Sequence, residues 1–85
     1  MYIIYGMRDC EYCELAVEEL EKRQQSFFYY PMDNGIHRKG PTLQEIKDRH
    51  SWPTVPIILK STNEEQKFIG GYTELIAYLE AQDES

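Results

Sequence analysis

Apolar and polar positions follow distinct rhythms along the chain, and each rhythm predicts an element. Tyr2-Ile3-Ile4-Tyr5 is an unbroken apolar run, which reads as a short strand buried on both faces. Gly6-Met7-Arg8-Asp9 then turns the chain. From Cys10 to about Arg23, Cys13, Ala16, Val17 and Leu20 recur at helical spacing, and Glu11, Glu14, Glu18, Glu19 and Glu21 fill the other faces. Leu15 falls on the far side from that stripe and is expected to be exposed. Lys22 and Arg23 suit the negative end of the helix dipole. Ser26 to Met32 carries a run of aromatics, Phe27 to Tyr30, and predicts a second strand. A helix joining two such strands makes a βαβ unit, so the strands should be parallel.

The second half reads differently. Asp33 to Pro41 has the glycines and proline of a loop, and its His37-Arg38-Lys39 is a cationic cluster. Thr42 followed by Glu45 has capping-box spacing, and the helix it opens runs to about Arg49. His50 is expected as an exposed helix end. Trp52-Pro53-Thr54-Val55 leads into a strand over Pro56 to Lys60, Ser61 to Glu64 turns, and Lys67-Phe68-Ile69 pairs back as a hairpin. Gly70-Gly71 breaks that strand before a last helix, with Tyr72, Leu75, Ile76 and Leu79 on one side, that ends near Ala81. The order βαβ then αββα predicts an α/β fold, a four-stranded mixed sheet flanked by three helices. With 85 residues and no repeats or linkers, the expectation is one domain spanning 1–85.

Charge and cysteine count narrow the chemistry. A formal charge of −6 argues against non-specific nucleic-acid binding, which needs a cationic surface. No apolar stretch reaches the length of a membrane span, and the N-terminus lacks a signal-peptide pattern. The cysteines are only Cys10 and Cys13, so the chain is not a disulfide-stapled scaffold, and a reducing cytoplasm is the expected compartment. A bridge closing so short a loop removes little unfolded-chain entropy, which suits a bond made and broken in turnover.

Cys10-Glu11-Tyr12-Cys13 sits where strand gives way to helix. Cys10 then takes the N-cap position and Cys13 the third helical position, one turn on. The free N–H groups of the first turn, with Arg8 upstream, favour an ionised Cys10 sulfur, which should accept from the amides of Tyr12 and Cys13. Cys13, covered by its own helix, should serve as the resolving thiol. A zinc site would need two further ligands; His37 and His50 are too far apart for the usual spacing, so no metal is expected. Arg8 reads either as a partner of the thiolate or an incoming carboxylate, or as a solvated loop charge. Trp52 reads either as part of a partner surface or as a cap on the core.

Two further segments supply a binding surface. Thr54-Val55-Pro56 is a candidate cis proline, against which an extended sulfur substrate can lie like an added strand. Gly70-Gly71-Tyr72-Thr73-Glu74 combines close backbone approach with free N–H donors at a helix start, a hydroxyl on Thr73, and a carboxylate on Glu74 for an ammonium group.

C-E-Y-C, T-V-P and G-G-Y-T-E, in this order and over the whole chain, resemble the glutaredoxins, particularly the short dithiol forms of bacteria and phages. The resemblance implies a thioredoxin-like fold and glutathione as reductant, with Cys10 as nucleophile and Cys13 as resolver. It implies glutathione contacts at Tyr12, Thr54, Val55, Pro56, Gly71, Tyr72, Thr73 and Glu74, to which the reading above adds Arg8. It further implies a monomer acting on disulfide-containing proteins, with ribonucleotide reductase one candidate substrate, in electron transport and redox homeostasis. Glu11 stands where the family commonly has Pro, which bears on the redox potential. Glu74 stands where Asp is common, which bears on the grip on the glutathione amino group. Two other readings compete: a redoxin reduced by thioredoxin reductase, and a carrier of an iron–sulfur cluster held through Cys10 and glutathione.

Overall fold

The computed structural model describes residues 1–7, 9–32 and 43–83, leaving outside them Arg8, the loop read over 33–41 with its His37-Arg38-Lys39 cluster, and the Thr42 cap. The elements are β1 (Tyr2–Gly6), α1 (Glu11–Lys22), β2 (Phe27–Pro31), α2 (Leu43–His50), β3 (Ile57–Ser61), β4 (Gln66–Gly70) and α3 (Tyr72–Asp83). They form one sheet in the order β2-β1-β3-β4. β1 runs parallel to β2, pairing Tyr2 with Phe27 and Gly6 with Pro31, and antiparallel to β3, pairing Ile4 with Ile58. β3 and β4 form the hairpin, with a register irregularity at Ile58 and Leu59. Its turn is closed by Thr62, whose hydroxyl both receives the Glu65 N–H and donates to the Glu65 carbonyl.

Period-two alternation along β1 divides the core between the two faces of the sheet. Tyr2 and Ile4 point to one face and join Ala16 and Leu20 of α1, Ile58 of β3, and Leu75 and Leu79 of α3. Ile3 and Tyr5 point to the other, where Ile57, Leu59 and Phe68 meet Ile46 of α2. The expectation that β1 is apolar on both faces follows from this two-sided packing. The helical stripe Cys13, Ala16 and Leu20 is buried. Leu15, expected to be exposed, is half-buried. His50 is likewise not a free helix end. Its ring stacks on Phe68 with centroids 4.7 Å apart and planes 6° from parallel. A β4 aromatic turned toward α2 is what draws the imidazole in.

This arrangement delivers three chain segments to one end of the molecule: the start of α1, the approach to β3, and the start of α3.

Candidate redox site

β1 ends at Gly6, and the short turn after it delivers Cys10 to the start of α1. Cys10 has extended backbone (φ −108°, ψ 112°) and occupies the N-cap. Its Sγ accepts the N–H of Cys13 at 3.2 Å, so sulfur satisfies one of the donors that a helix start leaves free. Among the described residues, the Tyr12 amide, expected as a second donor, does not donate to Cys10. Cys10 is half-buried, Cys13 is wholly buried, and both are free thiols.

Burial pushes the Cys13 thiol up to about 12, and its hydrogen bond with the Cys10 side chain pushes the same way. Hydrogen bonds with the Met7 backbone and the Tyr29 hydroxyl pull it back down. The two sulfurs are therefore chemically unequal. One is reachable and held by a backbone N–H, while the other is sealed and kept protonated.

Gly6 is what permits this packing. A Cβ there would lie 2.7 Å from Cys13 Sγ and 2.8 Å from Tyr29 Oη. No side chain larger than hydrogen fits without moving one of them. Tyr29 Oη also donates to the Met7 carbonyl at 2.7 Å. Sequence reasoning placed Tyr29 in a strand and Gly6 in a turn and assigned neither to the site. The signal was absent because the contact joins residues 16 positions apart, through the β1–β2 register.

Beside the cysteines lies a groove of about 240 Å³, lined by Tyr12, Thr54, Val55, Pro56, Gly71, Tyr72, Thr73 and Glu74, together with Trp52. All eight residues named from the C-E-Y-C, T-V-P and G-G-Y-T-E segments for this surface thus meet at one place; Arg8 is outside the described residues. The Val55–Pro56 bond is cis, as read. Tyr12, 58% exposed, faces Tyr72 with ring centroids 6.0 Å apart. Together they form an aromatic wall between the cysteine helix and α3.

Of the two readings of Trp52, the cap on the core holds, since it packs against the cluster of Ile46, Ile57 and Leu59. Trp52 also lines the groove and packs its ring edge-on against Phe68, with centroids 5.5 Å apart. Its Nε1 is buried and, among the described residues, has no hydrogen-bond partner.

Glu74 is held more firmly than expected. Its Oε1 accepts the Gly71 N–H at 2.9 Å, the reach-back half of a capping box at the start of α3. One carboxylate oxygen is therefore already engaged, and the Gly70 conformation (φ +129°) brings the Glu74 side chain against the backbone.

Two surface hollows are larger, at about 550 and 560 Å³. Neither takes in Tyr12 or any residue of the T-V-P and G-G-Y-T-E segments. Among the described residues no cluster of three or more His, Cys, Asp or Glu could hold a metal. Among them, too, no helix is long and apolar enough to cross a membrane.

A four-stranded mixed sheet with the cysteine helix and α3 on one face and α2 on the other defines the thioredoxin-like fold. Glutaredoxins share it with this chain. Glutaredoxin 1 from Francisella tularensis, solved in complex with cacodylate, superposes with a TM-score of 0.70 at 23% identity, covering 99% of this chain and 96% of that one. The solution structure of glutaredoxin from Brucella melitensis gives 0.66 at 23% identity, covering 94% and 78%. No protein-family model and no curated protein matches the chain.

Proposed function

We propose that the protein is a thiol–disulfide oxidoreductase that draws its electrons from glutathione. The observation that carries this is the unequal pair, a reachable Cys10 sulfur at a helix N-cap and a buried, protonated Cys13 one turn later. Cys10 thiolate attacks a substrate disulfide, forming a bond to one sulfur and expelling the other as a thiolate, which is protonated. Cys13 then attacks Cys10 Sγ, closing the internal disulfide and releasing the second substrate thiol. Two glutathione molecules return the pair to the dithiol and leave as glutathione disulfide.

The adjoining groove supports glutathione as that reductant. Thr54, Val55 and the cis-bonded Pro56 line it, a segment suited to an extended peptide. Its far end is the start of α3, where the N–H groups of Tyr72, Thr73 and Glu74 have no carbonyl one turn earlier in the helix to donate to, and suit a carboxylate. Disulfide-containing proteins, ribonucleotide reductase among them, are the proposed partners, met by a monomer in the cytoplasm.

The test is NADPH oxidation in the presence of a small mixed disulfide, with glutathione plus glutathione reductase in one arm and thioredoxin reductase in the other. Turnover is expected in the first arm. Turnover confined to the second sinks the glutathione reading while leaving the thiol chemistry intact.

A further inference from the structure

We infer that Tyr29 is a positioning residue for the second half of the reaction, its hydroxyl turning from the Met7 carbonyl to the Cys13 sulfur when that sulfur must ionise. The inference rests on the proposed thiol–disulfide exchange and adds a residue to it.

The geometry is a three-way meeting. Tyr29 Oη and Cys13 Sγ close over the missing side chain of Gly6, each within 2.8 Å of where its Cβ would stand. Tyr29 Oη donates to the Met7 carbonyl at 2.7 Å. A phenol has one hydrogen to give. While Cys13 is a thiol, that hydrogen is well placed on Met7. In the dithiol the Cys13 side chain also has Cys10 as a hydrogen-bond partner, which favours its protonated form.

Forming the mixed disulfide on Cys10 removes that arrangement. The Cys10 sulfur becomes a bridging disulfide sulfur and a poor acceptor, so Cys13 loses the contact that, after burial, favours its protonated form. Of the contacts that act on its ionisation, those from Met7 N–H and the Tyr29 hydroxyl both favour the thiolate. Swinging the phenol hydrogen through a small angle exchanges a neutral acceptor for a charged one, and hydrogen bonds to charged acceptors are the stronger kind. The Cys13 proton leaves to solvent, the thiolate attacks Cys10 Sγ, the bond from Cys10 to the substrate sulfur breaks, and the departing thiolate takes up a proton. Protons and electrons balance, and Tyr29 keeps its own hydrogen throughout.

The α1 residues flanking Tyr29 on the surface side are Glu14 and Glu18, which with Val17 line the same hollow. Neither is a donor when ionised, so among these side chains the phenol is the one able to join the Met7 N–H in donating to sulfur.

The probe is dithiobis-nitrobenzoate, a symmetrical aromatic disulfide, mixed rapidly with the reduced protein. Attack by Cys10 releases one coloured anion, and closure by Cys13 releases the second. In Tyr29→Phe, which keeps the ring and loses only the hydroxyl, the first release should be unchanged and the second about tenfold slower at neutral pH, the equivalent of one modest hydrogen bond. Difluorotyrosine at position 29, with the same ring and a stronger donor, should speed the second release at a slightly acid pH where its hydroxyl keeps the proton. That variant carries the test if Tyr29→Phe does not fold. An unchanged second release in both variants overturns the assignment, as does equal slowing of both releases, which would mark a packing role. A wild-type protein that releases only one anion overturns the proposed exchange itself, and Tyr29 with it.

Discussion

At the scale of single residues, the two cysteines owe their difference to position on one helical turn. Cys10 sits before the first turn and Cys13 inside it, against β1. On the proposed reaction, Cys10→Ser should abolish all turnover, because every first attack begins there. Cys13→Ser should keep turnover of glutathione mixed disulfides, which need one thiol, and lose most reduction of protein disulfides. Steady-state assays of both variants on both substrates check this, and equal loss throughout would contradict the assigned roles. The Cys13 thiol also links stability to pH. Its folded value of about 12 lies above the ordinary 9.0, so the folded chain holds that proton more tightly than the unfolded one. The stabilisation is complete below pH 9.0 and is lost as pH rises toward about 12, at a rate on the order of 1 kcal/mol per pH unit. Burial raises Tyr2 and Tyr5 as well, so the contribution must be read as a difference. Urea unfolding of the reduced wild type should weaken more steeply across this range than that of Cys13→Ser.

At the scale of elements, α3 and β1 each depend on one close contact at an end. Glu74 caps α3 through Gly71 N–H while presenting its charge at the groove. Glu74→Gln keeps an oxygen for that bond and removes the charge. It should leave the melting temperature nearly unchanged and raise the Michaelis constant for glutathione several-fold, in line with a surface pair worth about 1 kcal/mol or less. Glu74→Ala loses the cap too and should cost about 0.5–1 kcal/mol of stability. A Michaelis constant unmoved by Gln would leave Glu74 as a cap alone. At the end of β1, Gly6→Ala pushes a methyl into Cys13 and Tyr29 and should cost about 1–3 kcal/mol, measured by urea denaturation.

At the scale of the molecule, one sheet carries two unequal cores, and the larger one joins α1 and α3. Leu75 of α3 is fully buried between α1 and the strands. Leu75→Ala should cost about 2–5 kcal/mol and loosen the groove with it, since α3 supplies one wall. Phe28, on the edge strand and 54% exposed, should cost about 1 kcal/mol or less on truncation to Ala. Thermal unfolding of the two variants side by side checks the contrast. A similar loss in both would mean that the edge strand is anchored by Phe28 more tightly than its exposure indicates.

Much of this was legible in the chain itself. Tyr2 to Tyr5 named β1, the stripe Cys13, Ala16 and Leu20 named the buried side of α1, and C-E-Y-C at a strand-to-helix turn named the thiol site. Each rests on local periodicity or on capping chemistry, which act within a few residues and so leave their mark in the sequence. The places where the chain misled are those where a distant element decides. His50 is covered because Phe68 comes back across the sheet. Tyr29 reaches Cys13 only because the β1–β2 register sets Tyr29 opposite Ile4, beside Gly6. Sequence by itself determined which cysteines and cap residues are candidates for the proposed chemistry, since sulfur and helix caps announce themselves locally. Tertiary structure alone decided how completely the Cys13 thiol is sealed and what touches it, because burial and hydrogen bonding between residues far apart exist only once the sheet has closed.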